Sequence, residues 1–137
     1  MLRAIGGVLA GIVIAFGVIV VFQLVVQAIY PPPRGANMDD PATVARLAAM
    51  TPIGARLTVI LSWTLGSFLG AWLAGRIGKR AVPAVTPGVL VAAAAVANMF
   101  QTPHPVWFWI VSLALVAIAT ITGAALGAKK PAPQLVR

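Results

Sequence analysis

The chain has 137 residues, 61% of them hydrophobic and 9% charged, with a mean hydropathy of +1.00. A water-soluble domain covers itself with roughly 25% charged residues, so this composition excludes one and makes lipid the expected solvent. The net charge of +8 sets ten Lys and Arg against two acids, and the lack of cysteine excludes disulfides, thiolate nucleophiles and sulfur-ligated metals.

Four apolar runs approach or exceed the ~20 residues that a helix needs to cross a bilayer. They predict an all-α fold, an integral membrane four-helix bundle forming one domain over residues 1–137. No segment alternates in the manner of a barrel strand. The first span covers residues 4–30 without a charge. At about 1.5 Å per residue it reaches about 40 Å. That run is longer than the ~7 to 15 apolar residues of a cleaved signal sequence, so retention in the protein is expected despite Arg3 and the small residues near Ala28.

A longer connection follows. Pro31-Pro32-Pro33 favours a stiff extended exit. Asp40 ahead of Pro41 then predicts a short helix over 41–50, capped by the Asp40 carboxylate. Val44, Leu47 and Ala48 share one face of it and Arg46 another, the pattern of an interfacial helix lying in the first outer loop.

The second span covers 52–77, with Thr51 expected as its N-cap, Pro52 at its first position and Gly78 as its C-terminal cap. The third covers 83–101, with a small kink expected at Pro87. The fourth covers 105–128 and stops at Lys129, Lys130 and Pro131. The connections between spans two, three and four are too short to skip a helix, which predicts consecutive antiparallel hairpins.

Positive residues near span ends stay on the cytoplasmic side. Arg3, Arg76, Lys79, Arg80, Lys129, Lys130 and Arg137 fall on one side with no acid among them. Arg34, Arg46 and Arg56 fall on the other, with Asp39 and Asp40. Both termini are therefore expected in the cytoplasm. Tyr30, Trp63, Trp107 and Trp109 lie toward outer span ends and Trp72 toward an inner one, as interfacial belts do. The positive charge is dispersed over short tails and one turn, which suits an anionic leaflet rather than nucleic acid. Arg76, Lys79, Arg80, Lys129 and Lys130 are the expected contacts to anionic lipid, at about 1 kcal/mol each.

Small residues let membrane helices approach closely. Ser62, Gly66, Gly70 and Ala74 recur every four residues on the second span, beside a parallel row of Ser67, Ala71 and Gly75. Gly7 and Gly11 on the first span and Ala119, Gly123 and Gly127 on the fourth repeat the spacing. These are candidates for helix packing within the bundle or against another subunit.

Chemistry is sparse. His104 between Pro103 and Pro105 reads as an exposed turn residue, and Asp39 and Asp40 as capping and solvating groups. No catalytic residue, metal ligand or cofactor site is expected. No ionisable residue lies mid-span, which argues against proton-coupled transport. Gln23, Gln27, Asn98 and Gln101 all lie toward the outer face and would form a shallow polar vestibule if they converged.

The Pro-rich end of span one, the run Trp63 to Gly70 and the segment Pro103-His104-Pro105-Val106-Trp107-Phe108-Trp109 together resemble small four-helix inner-membrane proteins of bacteria. No activity attaches to that group. The resemblance implies a bacterial inner-membrane location and nothing about chemistry. Small multidrug transporters depend on a Glu in their first helix, which span one lacks, and fluoride channels have a weaker charge bias. The expected role is therefore a non-catalytic structural or accessory subunit that packs against other membrane subunits or copies of itself. The alternative is a small-solute channel or facilitator lined by Gln23, Gln27 and Asn98.

Overall fold

The computed structural model describes residues 1–129, and those residues contain helices and no strand. The helices are α1 (Leu2–Ile29), α2 (Pro41–Met50), α3 (Ile53–Gly78), α4 (Ala81–Ala84), α5 (Thr86–Gln101) and α6 (Val106–Ala128). Counting α4 and α5 as one near-continuous segment, four helices are long and apolar enough to cross a membrane.

Proline punctuates the chain. α1 ends where Pro31 forces its predecessor out of the helical region, and Tyr30 sits there at φ -124° and ψ 68°. Asp40 caps α2, accepting from the N–H groups of Ala42 and Thr43 at 3.2 and 3.0 Å and from the Thr43 hydroxyl at 2.6 Å. Thr51 does not cap the next helix as the sequence suggests. Its hydroxyl donates to the Leu47 carbonyl at 2.9 Å and so closes α2, while Pro52 takes the N-cap position of α3. Arg56 reaches back from α3 and donates to the Ala48 carbonyl at 2.8 Å, which also accepts from the Thr51 N–H at 3.3 Å at the end of α2.

The expected C-terminal cap at Gly78 moves by one residue. Gly78 ends α3 in helical conformation, and Lys79 takes the left-handed conformation at φ 55°, donating its N–H to the Gly75 carbonyl at 2.7 Å. The reason lies across the interface. A Cβ on Gly78 would stand 3.2 Å from Ala4 Cα, so glycine serves the approach of α1 there.

The third apolar segment begins at Ala81 and is interrupted at Val85, between α4 and α5, rather than merely kinked. Pro87 supplies no N–H to the carbonyl four residues back, and its ring crowds that carbonyl, which opens the helix just ahead of it.

α3 is the centre of the fold. α1 packs antiparallel along one face of it and α6 packs parallel along the adjacent face, and these are the two most extensive helix pairs. α5 returns in the groove between α1 and α6 and touches all three. The sequential hairpins expected from the short connections are present, but the α3–α6 pairing, which skips a helix, dominates them. Bulky residues fill one half of the core, with Ile60, Trp63, Val91, Met99, Phe108 and Val116 buried together. In the other half the buried cluster is Ala71, Ala74, Ala84 and Ala124, with half-buried Val85 packed against it. Side-chain volume therefore tapers along the bundle, and the helices close up where it is smallest.

Candidate functional site

The α1–α3 seam is built from glycine facing glycine or alanine. Gly7 lies against Ala74, Gly11 against Gly70 and Ala15 against Gly66. A Cβ on Gly66 would stand 2.7 Å from the Ala15 carbonyl oxygen, and one on Gly7 would stand 2.7 Å from that of Ala74. Pro87 of α5 enters the same junction, because a Cβ on Gly11 would meet its ring at 2.8 Å. Three helices thus converge on Gly11, Gly70 and Pro87.

The α3–α6 seam uses the second row. Gly123 lies against the Phe68 carbonyl, Gly127 against that of Trp72, and Gly75 against that of Ala124. α5 meets α6 where Gly88 leaves room for the Thr120 side chain. Ser62, on the first row, is buried and donates to the Val59 carbonyl at 2.7 Å. Every one of the packing candidates therefore lies inside the bundle. The packing roles of Pro87, Gly88 and Thr120 carry no mark in the sequence, since they come from a neighbouring helix rather than from spacing on their own.

The interior hydroxyls are spent locally. Thr58, Thr64, Ser112 and Thr120 donate to carbonyls four residues back on their own helices. Each is thereby satisfied without facing a shared cavity. Ser67 is the exception. It is buried, and its hydroxyl is the one buried side-chain polar atom without a hydrogen-bond partner among the described residues.

At the end of the bundle that carries α2, Phe108 is fully buried beneath an aromatic cluster. Trp63 meets its edge at 5.7 Å between centroids, and His104 stacks on it at 4.4 Å. Trp63 is therefore a core residue and not part of an outward-facing belt. His104 is half-buried rather than exposed, with Nδ1 2.5 Å from the Thr102 carbonyl oxygen. A carbonyl only accepts, so Nδ1 carries the proton and Nε2 is the free position. A cleft of about 410 Å³ lies near α2, lined by Val26, Tyr30, Pro32, Leu47, Met50 and Pro52 among others. Leu47 and Val44 are half-buried and Ala48 buried, while Arg46 is exposed.

The four amides make no hydrogen bond to one another among the described residues. Gln27, Asn98 and Gln101 are exposed and Gln23 is half-buried. Asn98 and Gln101 instead share a face of α5 with the exposed Ala94 and Ala97.

The opposite end of the bundle holds Arg3, Arg76, Lys79, Arg80 and Lys129, all exposed. The guanidinium of Arg76 sits 5.6 Å from the Trp72 ring centroid, a cation–π arrangement. Lys130 lies outside the described residues. Both acids of the chain, Asp39 and Asp40, stand in the loop ahead of α2, at the far end. The Thr43 hydroxyl, followed by the Ala42 and Thr43 N–H groups, holds the Asp40 carboxyl below the usual carboxylate range. No group of three or more His, Cys, Asp or Glu among the described residues is arranged to hold a metal ion. No known family, curated protein or solved structure matches the chain.

Proposed function

We propose that the chain is a non-catalytic, multi-pass protein of a bacterial inner membrane, with both termini toward the cytoplasm, that serves as an accessory subunit packing against partner helices. The four apolar helices support the membrane reading, since exposed Leu9, Val13 and Leu24 on α1, at 59, 71 and 62% exposure, suit acyl chains and not water. The gathering of five cations at one end supports the orientation. The bacterial location is taken from the sequence resemblance alone.

The observation that carries the accessory role is the outward face of α5. The glycine seams are consumed within the bundle, yet Ala94, Ala97, Asn98 and Gln101 form a strip of small and amide side chains that remains exposed. Small residues with an interhelical amide are what a second helix packs against in lipid, at about 0.6 kcal/mol for each hydrogen bond. A channel lined by Gln23, Gln27 and Asn98 has less support, because Gln27 and Asn98 are both exposed on separate helices.

A photo-crosslinking residue at Ala97, tested in native membranes against one at the exposed Ile118 of α6, examines this directly. A discrete protein adduct is expected from position 97 and none from 118. Absence of adduct at both, together with a lone monomer on mild purification, removes the accessory role. Solute flux into liposomes that vanishes on changing Gln23, Gln27 and Asn98 to Leu would establish the channel in its place.

A further inference from the structure

The first turn of α1 and the corner between α3 and α4 meet at the cationic end of the bundle. The Gly78 Cβ position lies 3.2 Å from Ala4 Cα and 3.7 Å from the Arg3 carbonyl oxygen, which makes Arg3 a neighbour of the Gly78 to Arg80 corner. Beside them runs a groove of about 210 Å³ lined by Ala4, Ile5, Val8, Leu9 and Pro83. Every lining residue is apolar.

The order of residues sets the polarity of this feature. Arg3 immediately precedes Ala4, and Arg80 immediately precedes α4, with Pro83 one turn further in. Both helices run away from this end, so Arg3, Lys79 and Arg80, all exposed, belong to the end of the bundle from which the apolar wall extends inward. The chain's two acidic side chains, Asp39 and Asp40, are at the other end, so no Asp or Glu among the described residues stands beside these three cations.

We propose that the groove is a binding site for one anionic phospholipid. An acyl chain lies against Ala4, Ile5, Val8, Leu9 and Pro83, and the phosphate sits between Arg3 and the Lys79–Arg80 corner. An acyl chain alone would match the wall but leave the three cations repelling one another. A phosphate brought by the same molecule relieves that repulsion and accepts charge-assisted hydrogen bonds from guanidinium donors. The inference rests on the reading of the chain as a membrane protein and adds to it a discrete site. Diffuse attraction of every cation to an anionic leaflet would favour Arg76 and Lys129 equally. The site does not.

Native mass spectrometry of the full chain in detergent, titrated with phosphatidylglycerol or with phosphatidylcholine of the same acyl chains, tests the proposal. One retained phosphatidylglycerol, at least about ten-fold preferred, is expected, since each 1.4 kcal/mol corresponds to ten-fold. The double change Arg3→Gln with Arg80→Gln should lower that retention about ten-fold or more. Arg76→Gln with Lys129→Gln should leave it unchanged. Ile5→Trp, or Leu9→Trp where the first variant misfolds, should fill the groove and weaken both lipids alike. Equal retention of the two lipids, or equal loss from the two charge pairs, overturns the site while leaving the membrane reading intact. A chain that stays dispersed and folded without detergent overturns both.

Discussion

Gly70 faces Gly11 so closely that a Cβ on Gly70 would stand 2.7 Å from the Gly11 carbonyl oxygen. Neither backbone can yield without moving its helix, because the opposing atom belongs to a backbone and not to the end of a flexible side chain. Gly70→Ala should destabilise the protein by about 1–3 kcal/mol, the usual cost of overpacking. Gly17→Ala on the outward face of α1 meets nothing within 4 Å and should be neutral or gain up to about 1 kcal/mol from helix propensity. Thermal unfolding of both variants in detergent checks the opposite signs. A loss of the same size in both would mean that the seam is looser than described.

Ser67 offers a gain. A buried hydroxyl without a partner carries a desolvation cost of about 1–3 kcal/mol, and removing it restores most of that cost. Ser67→Ala should therefore raise stability by about 1 kcal/mol. Ser112→Ala, whose hydroxyl is bonded to the Phe108 carbonyl, should give no such gain. Comparing the two midpoints in one detergent is decisive, and a loss from Ser67→Ala would reveal a partner for that hydroxyl.

Lys79 takes the left-handed conformation, which costs a residue bearing a Cβ about 1–2 kcal/mol. Lys79→Gly should stabilise the α3–α4 corner by roughly 1 kcal/mol, and Lys79→Val should destabilise it. Reversal of that order would show that the Lys79 side chain contributes more at the corner than its backbone costs.

The Asp40 cap is sensitive to acid. Its carboxyl titrates below the usual value of about 4, so the folded state binds the proton less readily than the unfolded chain does. The contribution is fully present above the unfolded pKa and is lost as pH falls through the lower folded value. Amide protection at Ala42 and Thr43 should hold at pH 5 and decline only below about 4. Asp40→Asn, which cannot ionise, should flatten the profile. A carboxyl resonance of Asp40 titrating at or above the usual value would rule out the cap as drawn.

Much of the architecture is written in hydropathy and proline placement. The absence of charge from Ala4 to Tyr30, and Pro52 and Pro105 at the starts of α3 and α6, place those helices within a residue or two. Exchanges between neighbours are less legible. Gly78 looks like a cap in sequence because glycine usually ends helices, but the nearness of Ala4, set by the packing of α1, assigns it elsewhere and leaves Lys79 to make the turn. Trp63 looks interfacial by its depth, and only the arrival of Phe108 from α6 shows that it faces inward. The rows on α3 are visible as spacing. Which helix each row receives is not, because spacing on one helix carries no information about another.

That α3 receives both α1 and α6 bears on how the chain is assembled. During synthesis α1 emerges first, and its glycine strip has nothing to grip until α3 follows. α6 comes last of all, so the parallel seam through Gly123 and Gly127 closes only when the rest is in place. Pairing of successive spans therefore does not complete the bundle, because the α3–α6 seam joins spans that are separated in the chain by α4 and α5.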